Sequence, residues 1–206
     1  MAIAGLGLCV FVLAHVSGNF LIFLGPKAYN MYGYYLTSSP LLYVAEAGLI
    51  AIFLAHIVSG IYLTIRNRGA RKQSYAVNAQ GEKKTSLTTK TMWWQGVVIF
   101  VFVIFHLITF KFGTVYNVEY EGLVVRDLFR LVYEVFQSPA YVVWYIVALV
   151  ILGYHLTHGF YSSLQTLGAN HPKYTPVFKK LSLAYGLFIS IGFISQPLYM
   201  FFIYKG

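Results

Sequence analysis

Five stretches of twenty or more mostly apolar residues, at 2–24, 41–65, 92–112, 139–164 and 178–204, take up most of this chain. A helix needs about 20 such residues to cross the hydrocarbon core of a bilayer. Once the five are removed, no segment is left that could build a soluble domain. Charged residues make up 10% of the sequence, against about a quarter in ordinary soluble domains, and the mean hydropathy is +0.66. The expected fold is all-α: one integral membrane bundle of five transmembrane helices, a single domain over 1–206.

Local signals punctuate the spans. Gly25-Pro26 stops the first and Pro139 opens the fourth, while Trp93 and Trp94 anchor the start of the third at the interface. Pro197 is expected to kink the fifth. The first span begins at Met1 with neither a basic flank nor a small-residue cleavage site, so it reads as a retained span rather than a signal peptide. The connection at 29–40 reads as a short, Tyr-rich interfacial segment. The stretch 113–138 is mixed, and its second half, 123–136, reads as an amphipathic helix lying on the membrane surface.

The net charge of +9 is not spread evenly. Arg66, Arg68, Arg71, Lys72, Lys83, Lys84 and Lys90 fall in or beside the loop 67–90, and Lys173, Lys179 and Lys180 fall around the loop between spans four and five. Glu82 is the only acid among them. Two basic loops separated by apolar spans are the pattern of the positive-inside rule, not of a nucleic-acid surface. They predict an amino terminus and two basic loops on the cytoplasmic side of the cell's inner membrane. The lone cysteine, Cys9, can neither close an internal disulfide nor supply an iron–sulfur cluster, and no C-x-x-C-H is present for covalent haem.

Four of the six histidines lie deep in four successive spans: His15, His56, His106 and His155. Ionisable groups within a bilayer are rare and mark function. One could be a satisfied interior residue; one per span is harder to explain so. Spans one and three run in the same direction, and His15 and His106 each lie about fourteen residues in, roughly 20 Å at 1.5 Å per residue. Spans two and four run oppositely, with His56 and His155 about fifteen residues in. The four therefore resolve into two pairs at two depths. A b-type haem needs two imidazoles facing each other across iron in apolar surroundings. Zinc gathers three or four ligands at one point, and a proton relay would include buried carboxylates, of which the spans hold only Glu46. Gly18, Gly60 and Gly159 each follow a histidine by about one turn, where a missing side chain would let a flat macrocycle approach; His106 has no such glycine. His158, one turn beyond His155, is a rival ligand or a neighbour of the haem; His155 lies deeper and matches His56 better. His171, before Pro172, reads as solvated.

These residues, in this order, resemble the five-helix dihaem cytochrome b anchor of succinate dehydrogenase and fumarate reductase. The resemblance runs through Ala14-His15-Val-Ser-Gly-Asn19, Phe23-Leu-Gly-Pro26, Glu46 ten residues before His56, Arg66-Asn-Arg68, Thr91-Met-Trp93 and His106. Its most specific part is His155-x-x-His-Gly159 with Gln165-Thr-Leu-Gly168 and Pro172-Lys-Tyr-Thr-Pro176. The family implies two b haems, with His56 and His155 on the one nearer an iron–sulfur subunit and His15 and His106 on the distal one. It also implies flavoprotein and iron–sulfur partners on the cytoplasmic side, and electron transfer between succinate or fumarate and a membrane quinone, menaquinone in similar dihaem members. The chain itself lacks a flavin fingerprint. Glu46, at the outer end of span two, is the candidate acid for exchanging quinol protons, or is simply an interfacial carboxylate. Two other readings compete: the cytochrome b of another membrane dehydrogenase, and a small transporter whose buried histidines bind substrate or protons.

Overall fold

The computed structural model describes residues 1–69, 87–169 and 171–205. Most of the expected basic loop at 67–90, with Arg71, Lys72, Lys83 and Lys84, lies outside them. Among the described residues, five helices are long and apolar enough to cross a membrane: Ala2–Leu24, Leu41–Asn67, Lys90–Lys111, Pro139–Thr166 and Thr175–Ile203.

Helix α1 (Ala2–Asn19) tightens into a 3-10 turn, Phe20–Leu24, and stops at Gly25, whose φ of 98° suits a residue without Cβ. Pro26 then opens α2 (Pro26–Ser38), at the position where a missing N–H costs nothing. The segment expected as a short connection is thus a helix, with Tyr29 and Asn30 buried. α3 (Leu41–Gly69) follows, and α4 (Leu87–His106) runs into a π turn at Leu107–Lys111. α6 (Pro139–Thr166) and α7 (Thr175–Leu198) complete the bundle. α7 continues through Pro197 and widens into a π turn at Tyr199–Ile203.

Between α4 and α6 the chain departs from expectation. Residues 123–136 are not one surface helix: β1 (Asn117–Tyr120) and β2 (Leu123–Arg126) form a hairpin, and only Leu128–Phe136 is helical, as α5. The hairpin turns on Glu121 and Gly122, both at positive φ (56° and 83°), as a two-residue hairpin turn demands. Asp127 then caps α5, its carboxylate accepting from Arg130 N at 3.0 Å. α5 does not lie free on a surface, because Phe129, Leu131, Val132 and Phe136 are buried.

α2, the hairpin and α5 form a cap over one end of the bundle. Asn30 is its pin: the amide donates to Asp127 at 2.8 Å and to the Tyr120 hydroxyl at 3.2 Å, and accepts from Phe129 N at 2.9 Å. Arg126 donates to the Phe110 carbonyl at 2.9 Å, satisfying the π turn's end. Gln137 ties α5 to Met200 at 3.0 Å. At the rim, Lys27 pairs with Glu121 and Arg130 with Glu134. Hydrogen bonds from Lys27, and from Tyr116 and then Arg130, hold the Glu121 and Glu134 carboxyls below the ordinary range. The opposite end carries Arg66, Lys90, Lys173, Lys179 and Lys180. The two are called here the capped end and the basic end.

The core is asymmetric. α6 packs on α7, α4 and α1, and α1 also touches α3 and α7. α6 and α7 cross where a Cβ on Gly186 would fall 2.1 Å from Thr157 Oγ1 and 2.6 Å from the Gly153 carbonyl, so only small residues allow the approach. One buried cluster gathers Ile22, Tyr29, Phe102, Phe129, Phe136 and Tyr145 beneath the cap, and a smaller one joins Cys9, Val16, Leu156 and Ile189. α3 has no buried residue along its described length.

Candidate functional site

The four membrane histidines meet in two pairs. The rings of His15 (α1) and His106 (the last residue of α4) have centroids 5.9 Å apart, and those of His56 (α3) and His155 (α6) are 6.2 Å apart. Their planes stand at 83° and 75°. Among the described residues no three of His, Cys, Asp and Glu gather at one point, so the arrangement is paired rather than zinc-like.

The spacing has a chemical meaning. A metal–imidazole bond is about 2.0–2.1 Å, so two rings on opposite sides of one metal have nitrogens about 4 Å apart and centroids close to 6 Å. Edge-to-face ring packing spans about 4.5–7 Å as well, so distance alone does not choose between them. α1 and α4 do not pack along their lengths, nor do α3 and α6. Each pair of rings thus joins two helices that make few other close approaches.

The two pairs sit at different depths. Gly5 of α1 lies beside His56, where its Cβ would stand 3.6 Å from Nδ1, and His15 is ten residues further along the same helix. Tyr145 of α6 lies beside His106, its hydroxyl 3.2 Å from Nδ1, and His155 is ten residues beyond it. Ten helical residues rise about 15 Å, so two separate helices give the same separation. Phe53 and Phe100 bridge α3 and α4 at 6.5 Å between the two levels.

Their surroundings differ. The capped-end pair is ringed by aromatics: Phe11 and Phe193 at 5.4 Å from His15, and Phe102 and Phe110 at 5.9 and 5.4 Å from His106. The Asn19 amide donates to the His15 carbonyl at 2.9 Å and lies 3.3 Å from its Nδ1, while Tyr29 donates to Asn19 Oδ1 at 2.8 Å. Burial pushes the Tyr29 phenol up, keeping it a donor. At the basic-end pair, Nδ1 of His56 and Nδ1 of His155 are both buried without a hydrogen-bond partner. A buried polar atom left so costs about 1–3 kcal/mol and asks for an explanation, a bound group among them.

Other expected residues are placed as follows. His158 is half-buried one turn beyond His155, and the ring that meets His56 is that of His155. His171 is exposed, its Nδ1 accepting from Lys173 N at 3.2 Å. Glu46 stands at the capped end of α3 and forms an ion pair with Lys111, a partner brought by the π turn of α4 from 65 residues away. Among the glycines, Gly159 faces open space and Gly60 meets only Met1, but the space beside Gly18 is filled by the Tyr32 ring from α2. Sequence reasoning missed Asn19 and Tyr145. Asn19, four residues after His15, was visible as a same-face neighbour; Tyr145 comes from another helix and left no local signal. Comparison of the chain with protein-family models, with curated proteins and with solved structures gives no match.

Proposed function

We propose that this chain is the membrane anchor of a succinate:quinone oxidoreductase, a succinate dehydrogenase or fumarate reductase, carrying two b haems. His15 and His106 would hold one iron, and His56 and His155 the other. The observation that carries this reading is the meeting of two imidazole pairs at two depths, 5.9 and 6.2 Å between centroids, across helices that make few other close approaches. The partnerless Nδ1 atoms of the basic-end pair agree with rings placed for something the protein does not itself supply.

Bound haem b supplies a one-electron carrier, and the chain supplies its ligands, an apolar aromatic enclosure and two levels about 15 Å apart along the bundle. The basic end would face the cytoplasm, where Lys173 and Lys179 offer a surface for an iron–sulfur subunit, itself joined to a flavoprotein. The capped end would face a membrane quinone, menaquinone by the resemblance. There Glu46, kept near Lys111, would exchange quinol protons.

Purification of the chain with whatever accompanies it tests the proposal. Two b haems per chain with bis-histidine spectra, together with flavin and iron–sulfur subunits, are the expected result. Two haems with other partners would select a different dehydrogenase. Absence of haem from a folded chain would overturn the reading and favour a transporter.

A further inference from the structure

Resting on the reading that the chain binds haem at both histidine pairs, we propose that Tyr145 is a positioning residue that sets the electronic character of the capped-end haem alone. Tyr145 is buried at 5% exposure and belongs to α6, which carries the ligand of the other pair. Its hydroxyl lies 3.2 Å from His106 Nδ1, and its ring is packed against Phe102, Phe110 and Phe136 at 4.9, 6.0 and 5.0 Å. The hydroxyl therefore has a fixed address.

The contact determines which nitrogen does what. With Nδ1 engaged by Tyr145, Nε2 is the His106 nitrogen left for a metal. A neutral imidazole bound through Nε2 carries its proton on Nδ1, and that N–H donates to the Tyr145 oxygen. Such a bond fixes the ring's orientation and makes the imidazole a more basic ligand, which favours the ferric state. The basic-end pair has no counterpart: neither Nδ1 meets a hydrogen-bond partner. One helix thus gives one site its ligand and the other site its ligand's hydrogen-bond partner, ten residues apart.

The test is Tyr145→Phe in the assembled, haem-loaded protein, followed by redox titration resolved into two haems, with Tyr185→Phe as a control. Tyr185 is another tyrosine of the bundle, but it donates to the Cys9 carbonyl, at 2.7 Å. The expected result is a rise in the potential of the haem lost in His106→Ala, corresponding to about a tenfold change in its ferric/ferrous equilibrium, or about 59 mV for one electron. The other haem, and both haems of Tyr185→Phe, should not move. Unchanged potentials, or an equal shift in both haems, would overturn the proposal. If Tyr145→Phe loses the capped-end haem, Tyr145→Gln decides: its amide oxygen restores an acceptor, so recovered haem supports the role and continued loss shows that only packing is at stake. A folded wild-type chain without haem would overturn the underlying reading, and this proposal with it.

Discussion

The two histidine pairs share a geometry and differ in what holds them. At the capped end, His15 and His106 are braced by Asn19, Tyr145 and four phenylalanines above a dense core. At the basic end, His56 comes from a helix with no buried residue among those described, and both Nδ1 atoms lack partners. The difference teaches that the protein's own side chains organise one pair, whereas on the proposed reading a group bound between the helices would complete the other. Ligand binding to the folded form alone adds stability, and here that gain should fall mainly on α3.

The largest expected effect follows directly. Removal of haem should loosen α3 against α6 while leaving α1 and α4 in place. Spin labels at Val58 and Tyr154, both exposed, should broaden in distance on haem depletion, and labels at Leu13 and Ile104 should not. Equal broadening of both would erase the contrast.

A bulkier side chain at Gly5 comes next. A Cβ there would already lie 3.3 Å from Ser163 Oγ and 3.6 Å from His56, so Gly5→Val should crowd the basic-end site, at roughly 1–3 kcal/mol for overpacking. Spectra should show loss of the basic-end haem with the other retained. Asn30→Ala acts at the opposite end. It leaves the Phe129 N–H without its partner, at about 1–3 kcal/mol, and takes from the Asp127 carboxylate one donor while Arg130 N remains; thermal stability should fall while both haems stay bound. The smallest effect on stability belongs to Glu46→Gln, since a partly exposed ion pair contributes about 0–1 kcal/mol. Its proposed consequence is functional: quinone-linked turnover should fall while succinate-to-artificial-acceptor activity holds.

Much of this architecture was legible in the sequence, for physical reasons. Twenty-residue apolar runs admit little but spanning helices, and counting residues from the ends of antiparallel helices places side chains in depth. That is why spacing alone matches His15 with His106, and His56 with His155. The cap was misread because its signals are short. Val124 and Val125 alternate over only four residues of strand, and the Glu121-Gly122 turn needs positive φ at a residue that seldom adopts it. Tyr145 and Lys111 were invisible as partners because tertiary packing, not spacing, brings them to His106 and Glu46.

The pairing itself is the central claim, and the most direct measurement is redox-resolved spectroscopy of four single variants in the assembled protein. His15→Ala and His106→Ala should each remove or convert one and the same haem, and His56→Ala and His155→Ala the other. If His15→Ala and His56→Ala lost the same haem, or if any variant left both haems bis-histidine, the two-level arrangement would be contradicted.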